Sequence, residues 1–113
     1  MVNSRVTRGR QTEALVAEFL RDHGFPQAER VAASLKGADI TGTPGLAVEV
    51  KARRGLDLPG WLKQAAKREG MPILVIRPDG SGPAGIGSWA MVLPLNAGVE
   101  LLRQAGYGEP CEQ

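Results

Sequence analysis

Charges alternate with valines along Val48-Glu49-Val50-Lys51, and this alternation does most to narrow what the chain can fold into. A strand has a side-chain period of two. Glu49 and Lys51 therefore share one face, and Val48 and Val50 the other. Downstream, Pro72 to Arg77 contains the unbroken apolar run Ile73-Leu74-Val75-Ile76, as in a strand buried on both faces. Between the two, Leu58-Pro59 opens a helix that runs to about Glu69 and is capped by Gly70. An apolar strand reached through a helical crossover pairs in parallel with the strand before it.

The other elements follow from weaker signals. From Thr12 the residues Ala14, Leu15, Ala17, Phe19 and Leu20 make a helical apolar stripe, and Gly24 stops it. Residues 28–35, 38–41 and 46–52 read as three strands. The last two are joined as a hairpin by Gly42-Thr43-Pro44-Gly45. Residues 78–87 read as a mobile Gly- and Pro-rich loop, 88–93 as a strand and 95–105 as a helix. Residues 1–10 read as a flexible basic arm, 11–106 as one domain and 107–113 as a frayed tail. The class is α/β, with a mixed central sheet flanked by helices.

At 113 residues the chain suits one domain with a modest core. No apolar run is long enough to span a bilayer, and no apolar stretch follows the polar N-terminus as in a signal peptide, so the expected location is cytoplasmic. The single Cys111 and single His23 exclude an intrachain disulfide and a Cys- or His-built zinc site. Net charge is only +2, but residues 1–54 carry +3 and residues 55–113 carry −1. That is a moderate footprint for a polyanion, with a solvated basic surface as the plainer alternative.

Two carboxylates, Asp39 and Glu49, stand ten residues apart at the edges of short apolar runs, with Lys51 beside the second. Taken in order, Glu13 in the first helix, Gly24-Phe25 closing it, Gly37-Ala38-Asp39-Ile40 and Glu49-Val50-Lys51 resemble the PD-(D/E)xK nuclease superfamily. The resemblance is greatest to its small Holliday junction resolvases of archaeal and phage type, and it spans about Gly9 to Ile76. It implies a restriction-endonuclease-like αβββαβ core. Ala38 departs from the pattern, which has Pro there. A turn Asp and a cross-strand ion pair on a solvated face are the plainer alternative for these residues, since a polar strand face is normal.

The chemistry gives each residue a reason. Phosphodiester hydrolysis needs an activated water and neutralisation of charge on the phosphoryl oxygens. Mg²⁺, with Mn²⁺ as substitute, takes oxygen ligands; Asp39, Glu49 and the Val50 carbonyl would supply them. The metal lowers the pKa of a bound water and clamps the phosphate. Lys51 would place that water or stabilise developing charge. The resemblance adds Glu13 as a further metal ligand, with Glu18 as its competitor on the same helix.

Candidate DNA contacts are Arg8 and Arg10 on the arm, Arg30, Arg53 and Arg54, and the resemblance implies Ser34, Lys36 and Gln64 as further ones. Arginine offers a fork that fits phosphate, and a basic arm adds salt-dependent affinity. Trp61 and Trp89 read as core residues. The leading expectation is a metal-dependent, structure-selective DNA endonuclease that acts on four-way junctions as a homodimer, because symmetric incision needs two sites related by a two-fold axis. Another nuclease of the superfamily acting on duplex, flap or single-stranded DNA, and a non-catalytic nucleic-acid-binding protein on the same fold, are the alternatives.

Overall fold

The alternating run forms β3 (Leu46–Ala52) and the apolar run forms β4 (Met71–Arg77), paired in parallel from Leu46 against Met71 to Ala52 against Arg77. The helix between them, α2 (Leu58–Ala65), is the crossover. This is a computed structural model that describes residues 4–32, 37–52 and 56–110, with side chains from residue 7. Its remaining elements are α1 (Ser4–Asp22), β1 (Glu29–Arg30), β2 (Ile40–Thr41), a 3-10 helix (Pro83–Ser88), β5 (Ala90–Val92) and α3 (Leu95–Gln104). The strands lie in sequence order in one mixed sheet, antiparallel except for β3–β4. The expected mixed α/β architecture is therefore present.

Each face of the sheet has its own core. On one side Val16 and Ala17 of α1 pack with Val48, Val50, Ile73 and Trp89. On the other, Trp61 and Ala65 of α2 cover Leu74, with Ile76 and Val92 alongside. Leu74 is fully buried, and burying such a side chain stabilises by about 1.5–3 kcal/mol. Both tryptophans are buried, as expected of core residues. Trp89 also stacks on the buried Arg77 guanidinium, 5.2 Å from its ring centroid. Arg77 donates to Thr12 Oγ1 and to the Ser81 carbonyl, each at 2.9 Å.

The β2–β3 hairpin turns through Thr43-Pro44-Gly45, closed by Leu46 N–H on the Thr43 carbonyl at 3.0 Å. Pro44 suits the second position of such a turn, and the φ of +79° at Gly45 suits the third. Gly42 is required more strictly, because a Cβ there would collide with the Gln27 carbonyl.

Five elements differ from the sequence reading. α1 begins at Ser4 rather than Thr12, so most of the segment read as a flexible arm is helical. Arg8 and Arg10 are good helix formers that extend the pattern upstream, and Thr12 Oγ1 bonds back to the Arg8 carbonyl at 2.8 Å. α2 ends at Ala65, not near Glu69, because its last turn tightens into i→i+3 bonds from Lys67 to Gln64 and from Arg68 to Ala65. β1 and β2 have two residues each. The segment read as a mobile loop contains the 3-10 helix, tied to the core through Trp89 Nε1 and Ser81 Oγ at 2.8 Å.

α3 matches its expected span, but its apolar residues Leu95, Val99 and Leu102 are exposed. The tail folds back on it: Arg103 Nη1 donates to the Tyr107 and Glu109 carbonyls at 3.0 and 2.7 Å. Among the described residues, no helix is long and apolar enough to cross a membrane.

Candidate active site

Asp39 lies one residue before β2, where the chain joins β3. Its backbone still takes part in the sheet, donating to the Val48 carbonyl and accepting from Val31 N–H. Its carboxylate does so too: Val50 N–H donates to Asp39 Oδ2 at 2.9 Å. This bond pins the acid against the Glu49-Val50-Lys51 strand.

Glu13 reaches the same place from α1. Its carboxyl is pushed above its ordinary value, first by burial and next by the Asp39 carboxylate, while Arg30, Lys51 and Arg10 pull it back. Two acids and three cations therefore share one electrostatic field. Arg30 Nη1 is 4.0 Å from Glu13 Oε1, a loose ion pair.

Alternation along β3 sets the remaining geometry. Val48 and Val50 point into the core beneath α1, and Glu49 faces the other side, level with Leu74. Glu49 is 5 % exposed, whereas Lys51, near the strand end, is open to solvent. In place of the alternative of an ion pair on a solvated face, Glu49 is buried and its partner is Arg68, whose Nη2 lies 2.9 Å from Glu49 Oε1.

Arg68 was absent from the candidates drawn from sequence. The signal that points to it is topological. A crossover helix must return its C-terminal end to the start of the next parallel strand, so a basic residue just before Gly70 comes back beside β3.

The other candidates separate. Arg8 and Gln64 are exposed on their helices, as is Arg10, whose charge is still felt at Glu13. Arg8 stands near enough to Arg77 to help lower its pKa, behind burial as the larger cause. Val50 contributes its N–H to Asp39 and its side chain to the core. Ser34, Lys36, Arg53 and Arg54 lie outside the described residues. A groove of about 750 Å³ is lined by Arg30, Val31, Ala38 and Ile40 among others, and none of the three acids is among its lining residues.

Among the described residues, no group of three or more His, Cys, Asp or Glu side chains gathers to hold a metal ion. Mg²⁺ does not need such a cage. It is commonly held by one or two carboxylates, keeping its waters and gaining substrate oxygens. Glu49 Oε1 is buried without an aligned hydrogen bond, and a buried oxygen in that condition suits a hard cation. Asp39 and Glu49 are hard oxygen donors, the kind a divalent ion takes, and Arg68 stands at Glu49 Oε1. No protein-family model, curated protein or solved structure matches the chain.

Proposed function

We propose that the protein is a Mg²⁺-dependent, structure-selective DNA endonuclease whose preferred substrate is a four-way junction, acting as a homodimer. The observation that supports this most directly is the Asp39–Val50 bond, which holds one acid of the suspected motif onto the strand carrying Glu49 and Lys51. The first six elements run αβββαβ, an order compatible with the nuclease core that the resemblance implies. Asp39 and Glu49 would hold the cation, and Glu13 would approach it from α1. When bound, the ion would supply an activated water and neutralise phosphoryl charge. Lys51, exposed at the end of β3, reaches towards solvent, where a phosphate would arrive. Arg30 and Arg10 add positive charge beside the acids.

One observation favours a second reading. Glu49 already has a cationic partner in Arg68, as a nucleic-acid-binding protein that no longer cleaves would allow.

The test is incision of labelled four-way junction, linear duplex, flap and single-stranded DNA of matched sequence in Mg²⁺ and in Mn²⁺. Paired symmetric nicks in the junction, lost in Lys51→Ala, are expected. Cleavage of the other substrates would keep the site and move the substrate. Binding with no cleavage of any of them would support the second reading.

A further inference from the structure

Glu49 is a buried acid, and the cation beside it is Arg68. The contact is close but poorly directed. Nη2 is 2.9 Å from Oε1, yet neither Glu49 Oε1 nor Arg68 Nε makes an aligned hydrogen bond. A well-made arginine–carboxylate pair uses two parallel N–H···O bonds; this one falls short of that. It supplies charge neutralisation without the directional bonds that would lock it.

Arg68 is also well placed to move. It lies past the end of α2, in a turn tied by its own N–H to the Ala65 carbonyl at 3.2 Å. The guanidinium extends over the Gly37 segment, where a Cβ on Gly37 would lie 3.8 Å from Nη1. The same guanidinium thus borders both acidic segments, Gly37-Ala38-Asp39 and Glu49. Its side chain is about one-quarter exposed, against 7 % for Glu49. The cation end therefore has a path to solvent that the acid lacks.

We propose that Arg68 is an exchangeable counter-ion: it neutralises Glu49 while no divalent ion is bound, and when a divalent ion takes Glu49 it turns to a phosphate of the nucleic acid. This rests on the endonuclease reading. One carboxylate cannot serve both cations fully, so the two compete. A displaced guanidinium needs a new acceptor, and its planar fork matches the phosphate that substrate brings beside the metal. Cation loading and substrate binding then favour one another, a reciprocal coupling between two ligands.

The experiment measures Mn²⁺ binding to the free full-length protein by titration calorimetry, for wild type, Arg68→Met, Arg68→Lys and Glu49→Gln. Arg68→Met keeps the apolar stem, and circular dichroism checks its fold. It is expected to bind Mn²⁺ about tenfold more tightly than wild type, an ordinary size for such a coupling. Arg68→Lys should fall between them, and Glu49→Gln should lose binding.

A second measurement reads the wild-type protein itself. In the wild type labelled with ¹⁵N-arginine, saturating Mg²⁺ should shift the Arg68 Nε resonance, which the Arg68→Lys spectrum identifies. Junction binding in Mg²⁺, measured in a Lys51→Ala background, should weaken about tenfold when Arg68→Met is added.

Equal Mn²⁺ affinity in wild type and Arg68→Met, with Glu49→Gln inactive in binding, would overturn the exchange and leave the endonuclease reading in place. An Arg68 Nε resonance unmoved at saturating Mg²⁺ would also overturn it. Tighter Mn²⁺ binding with unchanged junction affinity would strike out the phosphate contact. Absence of Mn²⁺ binding in every protein would remove both the exchange and the reading beneath it.

Discussion

Asp39 Oδ2 accepts the Val50 backbone N–H at 2.9 Å, so a proposed metal-binding carboxylate also serves as a rung between two strands of the sheet. Structure and chemistry can be separated at this residue. Asp39→Ala leaves the Val50 N–H without its acceptor, and an unsatisfied donor costs about 1–3 kcal/mol. Asp39→Asn keeps an oxygen acceptor of the same shape and loses only the charge. Urea unfolding is expected to show Asp39→Ala destabilised by that amount and Asp39→Asn by less than about 1 kcal/mol. Both should lose Mg²⁺-dependent cleavage. Equal loss of stability in the two variants would mean that the charge, not the hydrogen bond, holds Asp39 in place.

Glu13 makes a pH prediction whose sign follows from its raised pKa. The folded protein holds the Glu13 proton more tightly than the unfolded chain, whose ordinary value is 4.5. The resulting stability is fully present below that value and is lost as pH rises through the folded pKa. Glu13→Gln cannot titrate. The stability of wild type relative to Glu13→Gln should therefore be highest below about pH 4.5 and should fall as pH rises above it. A series of urea midpoints across pH, without divalent ion, reads this difference. If wild type instead gains on Glu13→Gln towards neutral pH, the ion pair with Arg30 outweighs burial and Asp39.

Arg77 is a buried cation held by Thr12, the Ser81 carbonyl and the Trp89 ring. Arg77→Met preserves much of its volume but removes two hydrogen bonds from a charged donor, each worth about 1.5–3 kcal/mol. The expected result is lower overall stability, with faster amide exchange concentrated in residues 78–89. Uniform acceleration over the whole chain would show that Arg77 supports the core alone and not this segment in particular.

Where the sequence carries a strong period it reads well. The alternation of Val48 to Lys51 and the run from Ile73 to Ile76 locate the parallel pair, and Pro44-Gly45 locates the hairpin turn. The weaker readings fail for physical reasons. Residues 28–35 are Ala-rich and offer little side-chain surface, and only Glu29 and Arg30 among the described ones pair as β1. At Asp39 a side-chain oxygen takes the donor that a longer strand would have used. Strand period gives the direction of Glu49 but not its burial, which depends on where the crossover helix ends. Arg68 escaped notice for the same reason: the helix was expected to continue through it, and its early end turns the guanidinium back to the sheet.

Lys51 offers the cleanest separation of catalysis from folding. It is exposed, on a strand whose core contacts come from Val48 and Val50. Surface substitutions of this kind usually change stability by no more than about 0.5 kcal/mol. A residue that stabilises charge developing in the transition state contributes far more to rate, about 10²- to 10³-fold. Lys51→Ala should therefore keep the wild-type urea midpoint and most of its junction affinity while losing cleavage by about that factor. Single-turnover cleavage at saturating protein separates the two effects, because it reads the chemical step independently of binding. An unchanged single-turnover rate would remove Lys51 from the reaction and, with it, the residue on which the junction assay relies as a control. Arg30 would then be the nearest alternative, since it shares the field of Glu13 and Asp39.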